Sequence, residues 1–495
     1  MEKKESFSQK LHRIFSGQIN LTEGNLFATI PLYAIPMVLL SFLQMFYSSV
    51  DQLVVANFGG GYSSMDAVGS NTALINLIIG LFVGISVGAN VVIAKARGMN
   101  DKETAHRTVQ SSVIISLFSG VFLAVAGWFV APALLELMNT PELYIDKAVS
   151  YLRIYFLGMP FLMVFNFGSA LLRGMGDSKR PLYVLLLCGV VNIGLNFLFV
   201  MVFDLDVVGV AITTVIAEFL EALLILFFLS HNKESFAVFS WKDWTVYKKE
   251  TKEILKNGIP AGIQSFIFSF SNIFIQRGVN GFETAELASD VAVAGNTASI
   301  QIEHYIWIAM NGFAVAVSSL ISQNYGALKK ENLKKVFWIS MMYETIIGVS
   351  LGLISYFLRY QLIGLFISPK AFTDESGTFL ESAFKMALEV GTMRITLVGL
   401  TYVLDGYMDV CSFYLRGLGH SKTPTLITLL FVTVMRIVYI TFIWANIPEI
   451  HTLPLLWICW PISWMLSILA YIPILPIYNK KAFAEIDTKL AARNA

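Results

Sequence analysis

The segment LRGMGDSKRP, residues 172–181, returns as LRGLGHSKTP at residues 415–424. Seven of the ten positions are identical, and the offset between the two copies is 243 residues. Each copy follows one long apolar stretch and precedes another. This repeated phrase predicts a chain of two related helical halves. A membrane bundle of two halves with a cleft between them suggests transport.

The composition is typical of a protein embedded in a lipid bilayer. Of the 495 residues, 56% are hydrophobic and 14% are charged, whereas soluble domains carry roughly 25% charged residues. Residues 26–50 and 67–94 contain no charged side chain. Each run exceeds the about 20 apolar residues that cross a bilayer. We therefore predict an all-α integral membrane protein whose main partner is the bilayer.

Twelve apolar segments predict twelve transmembrane helices in two pseudo-symmetric six-helix lobes. The expected spans are 26–56, 65–95, 108–138, 144–172, 181–203, 207–231, 255–281, 288–323, 333–360, 380–415, 424–446 and 452–478. The expected domains are an N-terminal tail 1–24, an N-terminal lobe 25–231, a connector 232–254, a C-terminal lobe 255–478 and a C-terminal tail 479–495.

Lysine and arginine are concentrated in alternate loops. They crowd the two terminal tails and the loops that follow the second, fourth and eighth spans. Because positive loops stay in the cytoplasm, both termini and both copies of the repeated phrase should lie on that side of the plasma membrane. Two halves of equal orientation are parallel repeats.

Several other classes of protein do not fit the sequence. A net charge of +1 gives no basis for a nucleic-acid partner. Cys188, Cys411 and Cys459 lie in apolar segments without paired spacing, which argues against a disulfide framework or a zinc site. The stretch 417–423 resembles the end of a phosphate-binding loop, but Ser421 replaces the required glycine. We therefore expect an ion gradient, rather than ATP, to supply the energy for transport.

Ionisable residues inside the spans are the candidates for chemistry. Each costs about 2.5–3.5 kcal/mol on insertion scales, so it usually faces a cavity or a partner. Asp51 is a lone carboxylate between Val50 and Leu53 in the first span. In such surroundings it would be poorly solvated and able to carry a proton or bind sodium. The alternative is an aspartate that reaches the outer membrane interface.

The fifth and sixth predicted spans contain further candidate oxygen ligands. Asn192 and Asn196 are four residues apart, as are Thr214 and Glu218, and residues at this spacing share one helix face. Their oxygens suit a hard cation or a polar substrate wall. Ordinary hydrogen bonding between helices is the alternative.

The C-terminal half has its own acidic candidates, Asp405, Asp409 and Glu303. Asp405 and Asp409 share a helix face, and paired carboxylates either share a proton or attract a cation. Glu303 lies beside His304, so only one of the two is expected to face a cleft. A satisfied buried histidine is the favoured interpretation of His304, and Arg436 could neutralise one of the acids.

Taken together, these residues resemble the MATE family of multidrug and toxic-compound extrusion transporters, in their bacterial form. The motifs are Val50-Asp51, the repeated phrase in both halves, Asn192-x-x-x-Asn196, and Asp405-Gly406 shortly before the second phrase. The resemblance covers roughly residues 20 to 480. It implies two six-helix lobes around a V-shaped cleft, and the exchange of a proton or sodium ion for an organic cation.

The resemblance also implies individual roles. Asp51 matches the family's cation and proton site on the first helix, Asn192 and Thr214 match its oxygen donors, and Asp405 matches the acidic site of the C-terminal lobe. Two departures leave the coupling ion open between H+ and Na+. Asn196 stands where DinF-like members have a second aspartate, and the span around Phe268 lacks the glutamate of the NorM-like group. Glu218 and Glu303 have no matching family position.

Aromatic side chains suit a lipophilic cation as the substrate, since each ring contributes about 0.5–2 kcal/mol of cation–π attraction. The candidates for the cleft are Gln44, Tyr47, Phe165, Phe268 and Tyr305. The sequence thus predicts a monomeric antiporter that exports drugs or organic cations. We expect no catalytic residues, no resident metal and no cofactor besides the coupling ion.

Two alternatives remain at this point. A flippase for lipid-linked oligosaccharides needs a strongly cationic cleft, for which only Arg277, Arg394 and Arg436 are available. A membrane-embedded enzyme needs a metal or nucleophile cluster, and the sequence does not show one.

Overall fold

The computed structural model describes residues 18–59, 62–137, 140–231, 236–284, 287–367, 372 and 379–494. Residues 1–17 of the predicted N-terminal tail, residues 232–235 of the predicted connector and Ala495 lie outside the described residues. The described ranges are almost entirely helical. An isolated β-bridge joins Gln18 and Asp177.

Twelve helical stretches follow one another along the chain. They are α1 Leu26–Phe58, α2 Tyr62–Met99, α3 Lys102–Leu137, α4 Ile145–Gly174, α5 Lys179–Val202, α6 Asp206–His231, α7 Lys248–Asn280, α8 Ser289–Gly326, α9 Lys330–Phe357, α10 Glu381–Gly399 plus Tyr402–Gly417, α11 Lys422–Trp444, and α12 Leu453–Trp457 plus Cys459–Asn494. A short helix, Arg359–Phe366, lies between α9 and α10.

Among the described residues, eleven helices are long and apolar enough to cross a membrane. The two parts of α10, which are bent by 42°, supply a twelfth if they form one span. The predicted all-α membrane fold is therefore confirmed. Most helix boundaries fall within a few residues of the expected ones.

Three segments differ from the expectation. Helix α7 begins at Lys248, inside the predicted connector, because its first turns are polar but rich in helix-forming residues. Helix α12 continues to Asn494, so the predicted tail 479–495 is helical over nearly its whole length. Residues 479–494 contain neither proline nor glycine. The third difference is the break in α10, between Gly399 and Tyr402.

The chain forms two compact units. Unit 1 contains the chain up to Ile263, with Ser318–Leu333 and Gly417–Gly419. Unit 2 contains Gln264–Val317, Lys334–Arg416 and His420–Ala495. Helices α7 and α8 thus contribute residues to both units. The predicted division into two six-helix lobes at the connector stays a prediction.

Within unit 1, glycines allow α2 and α7 to pack closely. A Cβ atom on Gly84 would lie 2.3 Å from the Cα of Gly262, and one on Gly88 would lie 2.7 Å from the amide nitrogen of Gly258. Small residues at such positions let two helix backbones approach each other inside a bilayer.

The first copy of the repeated phrase turns the chain between α4 and α5. Helix α4 ends at Gly174, and the Asp177 amide donates to the Leu172 carbonyl at 2.8 Å. Gly176 has a φ of +93°, a backbone region that glycine adopts without steric cost.

The second copy makes the same turn between α10 and α11. Helix α10 ends at Gly417, and the His420 amide donates to the Leu415 carbonyl at 2.9 Å. Gly419 has a φ of +87°. The repeated phrase is therefore a turn motif, as its position between apolar stretches predicts.

The segment before α1 is packed rather than free. Leu21 is fully buried, and its carbonyl accepts from Asn324 Nδ2 at 2.9 Å. The Ile19 amide donates to the Gly176 carbonyl at 2.9 Å. A Cβ atom on Gly176 would lie only 2.5 Å from the Ile19 carbonyl oxygen.

These contacts predict that replacing Gly176 and replacing Gly419, the corresponding glycines of the two turns, will destabilise the protein to different extents. In Gly419→Ala, the new Cβ atom meets only Asn257 Oδ1, at an ordinary contact distance of 3.9 Å. The cost is then that of the left-handed backbone, about 1–2 kcal/mol. Gly176→Ala adds the clash with Ile19, so its unfolding temperature should fall further. A thiol-reactive dye measures the unfolding temperatures of both variants, because Cys188, Cys411 and Cys459 are buried until the protein unfolds.

Gly364→Ala is the matched control, since nothing lies within 4 Å of its Cβ position and its φ is ordinary. Equal unfolding temperatures for Gly176→Ala and Gly364→Ala would contradict the conclusion that the first turn requires glycine at position 176.

Candidate functional site

A buried polar network surrounds Asp51 in unit 1. Asp51 is 8% exposed, and its Oδ1 accepts from Asn196 Nδ2 at 2.6 Å. The same nitrogen donates to Asn192 Oδ1 at 3.3 Å. The Thr213 hydroxyl donates to Asn196 Oδ1, and the Thr214 hydroxyl also lies within hydrogen-bonding reach of Asp51. Of the side chains predicted for this site, Asp51, Asn192, Asn196 and Thr214 are thus brought together.

Asn196 organises this network because both ends of its amide are used. Its nitrogen faces Asp51 and Asn192, and its oxygen faces Thr213. The direct partners of the carboxylate are therefore neutral donors. A buried carboxylate with neutral partners can exchange a proton or a cation without first breaking an ion pair.

Thr213 is a member of the network that sequence reasoning did not select. It is fully buried, whereas Thr214 is half-buried and donates to the Val210 carbonyl at 2.9 Å. The two threonines are adjacent, so the sequence alone does not show which one faces α5.

Glu218 continues the polar region along α6. It is 5% exposed, and its Oε2 has no hydrogen-bond partner among the described residues. A Cβ atom on Gly158 of α4 would lie 2.2 Å from that oxygen, so the glycine makes room for the carboxyl group. The stacked rings of Tyr151 and Tyr155, 6.1 Å apart, lie within electrostatic reach of both Asp51 and Glu218.

Glu303 has a different environment from the one expected. Its two oxygens accept from Nε and Nη2 of Arg394, each at 2.8 Å. Arg394 also donates to Asn296 Oδ1 at 2.8 Å, and the Ser299 hydroxyl donates to Glu303 at 3.0 Å. Glu303 therefore belongs to a satisfied ion pair rather than to an acidic site with Asp405 and Asp409.

The third carboxylate beside Asp405 and Asp409 is Glu344, on α9. Asp405 is 3% exposed and Glu344 is fully buried. Asp409 accepts from Asn311 Nδ2 at 3.4 Å. Sequence reasoning missed Glu344, although the rule that selected Asp51 applies to it, because it is an acidic residue within an apolar helix.

Arg436 is buried in unit 2, and its hydrogen-bond partners are neutral. Its Nε and Nη2 donate to the Ser463 hydroxyl at 3.0 and 2.7 Å. Its guanidinium lies 4.0 Å from the centre of the Trp460 ring and 5.4 Å from that of Phe268. Phe268, a candidate for the substrate cleft, thus already packs on a cation of the protein.

The remaining cleft candidates differ in accessibility. Phe165 is 1% exposed and lies in the apolar core of unit 1, so it does not face a cleft. Tyr47 is half-buried, with its ring over Gly189. Gln44 and Tyr305 are exposed.

Several of these polar residues adjoin π-helical stretches, which are rare and often occur at functional sites. Leu198–Val202 follows Asn196, and Ile395–Gly399 follows Arg394. Thr428–Val434 and Tyr439–Trp444 flank Arg436 on either side.

The fold and the buried polar sites define a multi-span membrane transporter. The MatE family model matches residues 36–198 and 260–442, which is more than half of the chain and one match in each half. The chain belongs to this family of transporters, which is not a family of enzymes.

The relatives agree with this assignment. The probable multidrug resistance protein YoeA of Bacillus subtilis is 28% identical over 461 residues, covering 90% of this chain and 93% of its own. The multidrug export protein MepA of Staphylococcus saprophyticus is 23% identical over 403 residues, covering 80% and 83%. The protein is accordingly similar to multidrug efflux transporters.

Solved structures share the fold. A MOP-superfamily transporter of Pyrococcus furiosus aligns with a TM-score of 0.82 at 21% identity, covering 94% of this chain and 98% of its own. A multidrug resistance MATE transporter in an outward-facing conformation aligns with a TM-score of 0.81 at 22% identity, with the same coverage.

The Glu303–Arg394 pair predicts a non-additive pair of substitutions. Glu303→Leu leaves a buried arginine without its partner, which costs about 3–5 kcal/mol, and Arg394→Leu should be comparably destabilising. The double variant removes both charges and should unfold at a temperature closer to that of the wild type. Additive losses in the thiol-dye assay would contradict the pairing.

Proposed function

We propose that the protein is a secondary antiporter that exports organic cations or drugs in exchange for protons or sodium ions by alternating access. Asp51, Asn192, Asn196, Thr214 and Glu218 form its coupling site, together with Thr213. It acts as a monomer in the plasma membrane, with both termini in the cytoplasm.

The observation that carries this proposal is the contact between Asp51 and Asn196. An ionised Asp51 accepts from Asn196 Nδ2, but a protonated carboxyl group presents a donor of its own and competes with that bond. Proton uptake therefore changes the packing of α1 against α5.

The substrate class rests on two supports. The relatives are named for multidrug resistance and multidrug export, and Gln44 and Tyr305 provide accessible polar and aromatic groups. The flippase alternative is not favoured. Arg394 is neutralised by Glu303, and Arg436 is buried against Ser463 and Trp460, so neither offers a free cation to a phosphate.

Substitution of Asp51 tests the coupling site. Asp51→Asn keeps the size and polarity of the side chain but cannot release a proton. In inverted vesicles, where export from the cytoplasmic side is measured as uptake into the lumen, transport of a fluorescent lipophilic cation driven by an imposed pH gradient should fall to background. A sodium gradient imposed separately identifies the coupling ion.

Asp204→Asn is the matched control and should retain full transport. Asp204 is exposed and has a φ of +53°, a conformation that asparagine also tolerates. Undiminished pH-driven efflux by Asp51→Asn would refute the assigned role of Asp51.

A further inference from the structure

Glu344 lies halfway along α9, where a bilayer offers no water. It is fully buried, and neither of its carboxylate oxygens has a hydrogen-bond partner within the described part of the chain. An ionised carboxylate without a partner is far more costly to bury than a neutral carboxylic acid. The uncharged, protonated form therefore fits this position.

A glycine on the neighbouring helix accommodates the carboxyl group. A Cβ atom on Gly406 of α10 would lie 2.6 Å from Glu344 Oε2 and 2.4 Å from the Met310 methyl carbon. The next residues along the two helices are also in contact, with the Thr345 and Tyr407 hydroxyls 2.7 Å apart. The carboxyl group is thus directed at α10.

Two further carboxylates face Glu344 from α10, namely Asp405 and Asp409. Each of these has an arginine acting on it: Arg436 acts on Asp405, and Arg416 acts on Asp409. Three carboxylates therefore share two cations, and the acid without a cation is Glu344.

The other titratable groups around the cluster are neutral in their ordinary forms. Tyr402 faces Asp405, and Tyr471 and Cys411 face Asp409. In the described ranges, no group of three or more His, Cys, Asp or Glu side chains has the geometry of a metal site. These surroundings favour a proton rather than a metal ion as the occupant.

We propose that Glu344 stores one exchangeable proton in unit 2 and releases it when an organic cation arrives near Asp405 and Asp409. In this step the O–H bond of the carboxylic acid breaks, the proton leaves to water, and the carboxylate charge balances the incoming cation. The inference rests on the proposed antiport with protons and adds a second proton site, separate from Asp51.

The test measures proton release by purified protein in weakly buffered detergent solution when tetraphenylphosphonium is added. Glu344→Gln should release fewer protons per bound cation than the wild type, whereas Glu344→Asp, which keeps a titratable group, should restore release. Glu253→Gln is the control, because Glu253 is half exposed and pairs with Lys256 at the surface.

Infrared spectroscopy gives a readout that does not depend on transport. The C=O stretching band of a protonated carboxyl group should be present in the wild type and reduced in Glu344→Gln. Where that variant does not fold, the difference spectrum between the wild type and Glu344→Asp replaces it, because the band should shift in frequency.

Unchanged proton release in Glu344→Gln, or the absence of any carboxyl band that depends on residue 344, would overturn the inference. Failure of the proposed antiport has a different signature. The wild type would then show neither gradient-driven efflux nor proton release, while the infrared spectra would still report the proton on Glu344.

Discussion

The cost of burying a carboxylate within a membrane helix governs the polar interior of this protein. A carboxyl group there is stabilised in one of three ways: by an opposite charge, by neutral hydrogen-bond donors, or by a proton that makes it neutral. Glu303 has the first solution, an opposite charge, in its bidentate ion pair with Arg394. Asp51 has the second, in the amide of Asn196. Glu218 and Glu344 each have a buried oxygen without a hydrogen-bond partner among the described residues, an environment that fits the third solution, a proton.

Glu218 and Glu344 share a further feature that connects sequence to chemistry. Each carboxyl group occupies space left by a helical glycine, Gly158 on α4 and Gly406 on α10. These are the two helices that end in the repeated phrase. The glutamates come from different helices, α6 and α9, so the two halves reach a similar arrangement without a matching acidic position.

The sequence predicts most of the fold because long apolar runs and charged loops carry that information directly. It predicts less of the site, because hydropathy places a residue along a helix without stating which neighbour its side chain meets. Glu303 and Glu344 are both acids within apolar helices, yet one pairs with Arg394 and the other does not. Phe165 similarly fitted an aromatic cleft but lies in the core.

The repeated phrase itself is explained by contacts that the duplication preserved. A Cβ atom on its first glycine would lie 2.2 Å from Ile93 Cγ2 in the copy at Gly174, and 2.7 Å from Ile321 Cβ in the copy at Gly417. Ile93 lies nine residues after Gly84 in α2, and Ile321 lies nine residues after Gly312 in α8.

The second glycine of each copy has a positive φ, and the same backbone hydrogen bond closes both turns. The two glycines of the phrase, which are identical in both copies, are therefore positions where a side chain would collide or strain the backbone. Asp51 and Asp405 lie outside these constraints, which is why the scaffold could stay symmetric while the polar sites of the two halves diverged.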